Sequence, residues 1–411
     1  MNRVVITGIG ILSSIGQNKI EVLKSLKKGN CGIVFSKEMK KFGINSHVCG
    51  KIDLNSNYNL KKKFFKYMNL ETIYAYLSMK EAIKDSCLNF SQFQNNKKVG
   101  LVIGTGFCSL RNNLLYLNKR KINNNFYKKL KSVNIYTVFQ IMNSSVSACL
   151  STIFKINGIS YSISSACSTS SNCIGHAYEL IKSGKQNIVF SGGSEALTLN
   201  TAFYFDLIKA LSRKYNSNPK KSSRVYDINR DGFVISEGSG ILVLEELNSA
   251  LSRKAHIYGE IISYYSNSDG FSMCIPSEKG IFRCMKSAIK NLSTNIDCIN
   301  VHATSTKIGD IIELNAIKKV FKNKNIPFIS STKSMTGHSL GASGVHEIIF
   351  LLLMLENNFI APSINIENLD PVIKNFNIIT SFKKINLNTV MSNNFGFGGV
   401  NTVLIFKKFY Y

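Results

Sequence analysis

At 411 residues, 44% hydrophobic and 18% charged, the chain has the make-up of a globular protein with room for two or three units of about 150 residues. No apolar run reaches the ~18 residues a membrane-spanning helix needs, and ten cysteines without a CxxC pair or a Cys/His cluster exclude a disulfide scaffold and a zinc module. The net charge of +27 comes from lysines scattered among asparagines, with no zinc-finger or RNP-type signature, so compositional drift explains it better than selection for an acidic partner, whether nucleic acid, an anionic surface or an acidic protein.

The chain opens with MNRVVITGIGILSSIG, whose glycines break the apolar run. It reads as strand then turn, not as a signal peptide, and the cytoplasm is the expected compartment. Strands are expected at Val4–Thr7, Val99–Ile103, Tyr161–Ser165, Asn187–Ser191 and Ile241–Glu245, with helices at Glu71–Asp85 and Ser171–Ser183. The pattern then restarts. Strands at Ile257–Tyr264, Cys298–His302, Pro327–Ser330, Thr389–Ser392 and Asn401–Phe406 alternate with helices at Ile281–Leu292, Ile311–Phe321 and Leu340–Glu356, within which Ile348–Leu355 reads as buried. Such alternation predicts an α/β architecture. Residues 1–250 and 251–411 look like two versions of one plan, each with a helix that begins in a Gly/Ser/Ala-rich turn. With only five prolines and no linker, the halves should pack as one body, the two helix starts facing each other across a shared cleft.

Cys167 stands where a strand gives way to a helix through small residues. A thiol on a helix's first turn meets unpaired N–H groups and the positive dipole end, which favour the thiolate. Cys173 falls inside the helix and reads as a packed thiol. Of six histidines, His302 (in HATSTKIGDIIE) and His338 (in STKSMTGHSLGASG) end apolar segments and precede small, polar turns. His176 and His346 lie inside helical stretches. Lys333, Asp310 and Glu313 share the two histidine motifs, the acids one helical turn apart and able to engage a cation. The loop SNNFGFGGVN, Ser392 to Asn401, can turn its N–H groups toward an oxyanion.

Together, SISSACSTSSNCIGHA, VFSGGSEAL, ALSRKYN, YDINRDGFV, HATSTKIGDIIE, STKSMTGHSLGASGVHE, FIAPSINIENLD and MSNNFGFGGVN resemble the β-ketoacyl-acyl-carrier-protein synthases, thiolase-like condensing enzymes, and most closely their synthase I group. The resemblance spans essentially the whole chain. It implies a thiolase-like fold of two pseudo-dyad-related halves in αβαβα layers, a homodimer, and an acyl carrier protein as partner. No cofactor is implied, since phosphopantetheine arrives on the carrier. It further implies that Cys167 takes an acyl chain and that the N–H groups of Cys167 and Phe397 hold the oxyanion. His302 and His338 would stabilise the enolate left when malonyl carrier protein loses carbon dioxide. Lys333, with Asp310 and Glu313, would order the pocket; Thr304 and Thr306 would hold the pantetheine arm. Glu347 and the backbone around Asn300, Ser392 and Asn393 match a structural monovalent-cation site.

The sequence departs from that pattern at Ala303 and Lys307, where the family usually has Gly and Pro, and in GTGFCSL, where Phe107 and Cys108 stand for small residues near the acyl tunnel. Phe107 is therefore expected to restrict the acyl chains accepted. A thiolase would need a second cysteine in the C-terminal Gly-rich loop, which has none. A polyketide-type ketosynthase stays open on motifs alone, and a basic binding protein would need no such constellation.

Overall fold

The computed structural model describes residues 1–54, 62–107, 135–322 and 325–411. The main strands are β1 (Val4–Leu12), β2 (Val99–Gly104), β3 (Ser160–Tyr161), β4 (Ile188–Glu195), β5 (Gly238–Glu246), β6 (Gly259–Ser268), β7 (Cys298–Asn300), β8 (Phe328–Ser330), β9 (Thr389–Gly396) and β10 (Val400–Lys407). The helices that cover them are α1 (Leu70–Asp85), α2 (Ser145–Phe154), α3 (Thr169–Lys182), α4 (Leu199–Leu207), α5 (Glu278–Ile289), α6 (Gly309–Val320) and α7 (Ser343–Asn357). All nine residues of β1 and all eight of β4 are buried, which is why these strands read as continuous apolar or small-residue runs rather than alternating ones.

The strands form one ten-stranded sheet in the order β8-β7-β9-β10-β6-β1-β5-β4-β2-β3. Each half repeats one pairing scheme. In the first, β2 is parallel to β3 and β4, β4 antiparallel to β5, and β5 antiparallel to β1. In the second, β7 is parallel to β8 and β9, β9 antiparallel to β10, and β10 antiparallel to β6. The halves meet where β1 pairs with β6 over Val4–Ile6 only. Beyond a bulge at Ile6–Gly8, the N–H groups of Ile9 and Ile11 donate to Asp85 (2.9 Å) and Glu81 (2.8 Å) of α1 instead.

Helices α1 and α2 cover the outer face of the first half, α5 and α6 that of the second, and α3 and α7 pack between the halves. This is the expected αβαβα layering, with the difference that hydrogen bonding joins the two sheets. Every residue of α7 from Ser343 to Leu355 is buried, as a helix apolar on all sides must be. With its lead-in turn, Leu340–Asn357 is long and apolar enough to cross a membrane, but it is the central helix of the core. By contrast, α5 buries Ile281, Cys284, Met285 and Ala288 on one stripe, and the Ser277 side chain caps it by accepting from Gly280 N–H.

Two expected elements are shorter than their sequence suggests. The strand expected over Tyr161–Ser165 ends at Tyr161, and the one expected over Cys298–His302 ends at Asn300. In both cases the backbone leaves the sheet just before the chemistry-bearing residue. The helix after Cys167 begins at Thr169, two residues before the expected start, and the one after His338 at Ser343, three residues after it; each follows a 3₁₀ turn, Ala166–Ser168 and Leu340–Ala342, and the two turns pack against each other. Ala166 (φ 50°) and Leu340 (φ 48°) occupy the left-handed region at equivalent points of the two halves. Cys167 and Gly341 are thus pseudo-dyad counterparts.

Candidate active site

Cys167 is the middle residue of its 3₁₀ turn, 8% exposed, reached by a left-handed Ala166 that swings the backbone out of the strand direction. His338 lies beyond the short helix Lys333–Thr336 and places Nε2 3.1 Å from Cys167 Sγ. The His302 ring stands edge-on to that of His338, centroids 5.3 Å apart. One sulfur and one nitrogen from each ring lie within 4.8 Å of one another. The residues that sequence reading singled out at positions 167, 302 and 338 therefore converge.

Burial pushes the Cys167 thiol up to about 12, against the pull of Lys333 and of the N–H groups of Phe397 and Cys167 itself. The helix start favours the anion, as its sequence suggests, and Lys333 adds to it, but desolvation outweighs both. Burial, then Lys333, holds both histidines well below the ordinary range, with His338 a further cause for His302. Both rings are neutral at pH 7. Ser343, the first residue of α7, sits 2.7 Å from His338 Nδ1. With the Ser343 hydroxyl donating there, the ring proton resides on Nε2, toward the sulfur.

The partners of Lys333 differ from the expected ones. Its Nζ pairs with Glu347, and both are almost fully buried. Asp310 and Glu313 instead hold the backbone of the His302 loop. Glu313 accepts from His302 N–H (3.0 Å), Ala303 N–H (2.8 Å) and Asn393 Nδ2 (3.1 Å). Asp310 accepts from Thr304 N–H (3.1 Å) and Thr306 N–H (3.2 Å), and Arg230 Nε lies 3.3 Å away. Burial raises Glu313 to about 7 and Asp310 to about 6, with Lys333 and Arg230 respectively among the groups opposing it. Lys333 still acts on the whole site: its charge lowers Cys167, His302, His338, Glu313 and Glu347 alike.

Of the residues matched to a monovalent-cation site, Glu347 supplies the one carboxylate. Glu347 is neutralised by Lys333 and also accepts from Asn394 Nδ2 (2.7 Å). Asn300 bonds to Thr332 (3.0 Å), Asn393 donates to Glu313, and the buried Ser392 Oγ and Asn393 Oδ1 lack a partner. Glu347 is the counter-charge of Lys333.

Above Cys167 opens a cleft of about 220 Å³. Its walls include Phe205, Phe233, Met273, Phe395 and Phe397, and Thr304 and Thr306 lie along it. Phe107 is one ring removed: it packs edge-to-face on Phe205 (5.5 Å), which neighbours Phe397 (6.2 Å) and Phe233 (5.2 Å). Cys108 lies outside the described residues. Sequence reading missed Ser343 and Arg230. Arg230 was visible in YDINRDGFV as a cation between acids, whereas Ser343 is one hydroxyl among many in a small-residue turn.

The chain matches the family model "Beta-ketoacyl synthase, N-terminal domain" over residues 1–250 and "Beta-ketoacyl synthase, C-terminal domain" over 258–367. It is 57% identical over 413 aligned positions, covering both chains in full, to a 3-oxoacyl-[acyl-carrier-protein] synthase 1 of Buchnera aphidicola subsp. Baizongia pistaciae. Among solved structures it is similar over its whole length to a beta-ketoacyl synthase from Burkholderia phymatum (TM-score 0.91, 30% identity). It is likewise similar, over all of both chains, to a ketosynthase in complex with its type II polyketide acyl carrier protein (TM-score 0.86, 27% identity).

Proposed function

The chain belongs to the β-ketoacyl synthase family and is a 3-oxoacyl-acyl-carrier-protein synthase, an acyltransferase, and we propose that it condenses acyl units on Cys167 in the following way. The thiol attacks the thioester carbonyl of an acyl carrier protein and its proton leaves on the departing carrier thiol, while the Nε2–H of the neighbouring His338 donates to the sulfur as it ionises. The N–H groups of Cys167 and Phe397 donate to the tetrahedral oxyanion. Malonyl carrier protein then enters, its pantetheine arm lying along Thr304 and Thr306. His302 and His338 donate from Nε2 to its thioester oxygen. Carbon dioxide leaves, the enolate carbon attacks the acyl-Cys167 thioester, and the 3-oxoacyl carrier departs as the Cys167 thiolate is released and takes up a proton from solvent. This is covalent catalysis in two half-reactions.

The observation that carries the reading is the pair of neutral imidazoles beside the thiol, with Nε2 of His338 3.1 Å from Sγ. A neutral imidazole can donate to a developing enolate oxygen without first forming an ion pair with it. A polyketide-type ketosynthase is the weaker reading, since that neighbour is 27% identical and the fatty-acid relative 57%. Intact-mass measurement of the chain with acyl carrier protein tests the proposal, the acyl mass being expected on Cys167.

An acidic carrier protein suits a chain of net charge +27. A homodimer is the assembly that accounts for the exposed Tyr204, Leu207 and Ile208 at the end of α4 and for Ile135, Val138 and Phe139. The cytoplasm suits its thiols, which are free throughout the described residues.

A further inference from the structure

Glu195 takes no part in the reaction just described, yet it is a carboxylate only 1% exposed, at the end of β4. Its Oε2 accepts from Gly106 N–H and Gly341 N–H, each at 2.9 Å, and its Oε1 from Phe107 N–H at 3.1 Å. The two glycines touch. A Cβ on Gly341 would meet Gly106 N at 2.2 Å, and one on Gly106 would meet Gly341 N at 3.0 Å. One carboxylate thus fastens the turn after β2 in the first half to the lead-in of α7 in the second, next to Leu340 of the cleft wall. Three converging N–H donors are shared between two acceptor oxygens, which a carboxyl group supplies and an amide does not. The arrangement is held against desolvation. Burial, with repulsion from Glu71, pushes Glu195 up to about 8, and the three backbone donors oppose that rise.

What the clamp holds is the start of a chain of rings. Phe107 leans on Phe205 at 5.5 Å, Phe205 on Phe233 at 5.2 Å, and Phe233 on His338 at 5.5 Å. Phe205 and Phe233 both line the cleft over Cys167. A shift of the Phe107 backbone is therefore passed to the wall that an acyl chain must pass.

We propose that Glu195 is a positioning residue for acyl-chain selection: by clamping Gly106 and Phe107 to Gly341 it seats the Phe107 ring against Phe205 and so sets which chains reach Cys167. The proposal rests on the reading of the chain as an enzyme acylated at Cys167. The test is the rate of Cys167 acylation by a short and by a long saturated acyl carrier protein, followed by intact mass. In Glu195→Gln the single amide oxygen can keep the Gly106–Gly341 bridge, which turns the NH2 group toward Phe107 N–H and releases that residue. The long-to-short rate ratio should rise at least about threefold, the low end of what one lost hydrogen bond is worth. In a Phe107→Gly background the same substitution should leave the ratio where Phe107→Gly alone put it, because the two residues act as a unit. Glu195→Asp, which withdraws the carboxylate by one methylene, should move the ratio the same way and serves if the amide variant fails to fold. An unmoved ratio, an equal shift in both backgrounds, or equal loss with both chain lengths would overturn the proposal. Absence of acyl mass on wild-type Cys167 would instead remove the enzymatic reading on which it stands.

Discussion

At the residue scale, the site solves a problem of charge in a dry pocket. Lys333 is a buried ammonium, and its pairing with Glu347 keeps the interior neutral while its field reaches the thiol and both rings. Removing one partner of such a pair costs about 3–5 kcal/mol because the other charge is left uncompensated. Lys333→Met should therefore lower stability by about that amount in denaturant melts. Lys333→Met with Glu347→Gln should recover most of it and remain inactive, since the Asn394 contact survives and the charge does not. Ser343 acts through His338. Ser343→Ala should slow malonyl decarboxylation about tenfold, the worth of roughly one hydrogen bond, and Ser343→Thr should restore it in part. An unchanged rate in the alanine variant would show that His338 keeps its Nε2 proton without help. The thiol sets the pH dependence. With Cys167 raised to about 12 by burial, the thiolate fraction grows with pH throughout the neutral range. Alkylation by iodoacetamide should accelerate steadily from pH 6 to 9 with no plateau, whereas a plateau above pH 7 would indicate a preformed thiolate.

At the scale of elements, the nucleophile depends on how two helices start. Both α3 and α7 are entered through a left-handed residue and a 3₁₀ turn, and small residues let them approach. A Cβ on Gly344 would fall 2.1 Å from Ser171 Oγ and 3.0 Å from Asn394 Oδ1. Gly344→Ala should thus cost about 1–3 kcal/mol by overpacking, read as a lowered unfolding midpoint. Ala166→Val should cost a similar amount for a different reason, because a β-branched residue is ill suited to φ 50°. These helices were legible in the sequence as Gly/Ser/Ala-rich starts, as was the alternation of buried strands. Strand ends were not. Tyr161–Ser165 and Cys298–His302 are apolar enough to read as strands, but their last residues bond into the Cys167 turn and to Glu313 instead of a neighbouring strand.

At the scale of the whole molecule, the pseudo-dyad makes one centre from two halves. The first half brings Cys167, the second His302, His338 and Lys333, and the identical pairing schemes bring the two helix starts into contact. Sequence pattern conveyed this doubling and the convergent residues, because motif spacing records which segment ends each strand. It did not convey who pairs with whom across the dyad. Lys333 met Glu347, fourteen residues on, and not the acids of the other histidine motif; Glu195 met three backbone groups that no side-chain pattern records. Assembly belongs to this scale as well. The exposed apolar residues Tyr204, Leu207 and Ile208 should be covered in a dimer, so light scattering should give twice the chain mass. Leu207→Lys with Ile208→Lys should shift it toward the monomer.

The central claim is that Cys167 carries the acyl chain between the two half-reactions. Intact mass spectrometry of the chain with a saturated acyl carrier protein should show one added acyl group, mapped to the peptide containing Cys167 and absent in Cys167→Ala. That mass should then vanish on adding malonyl carrier protein, as 3-oxoacyl carrier appears. A folded chain that takes up no acyl group, or takes it up on another cysteine, would contradict the account.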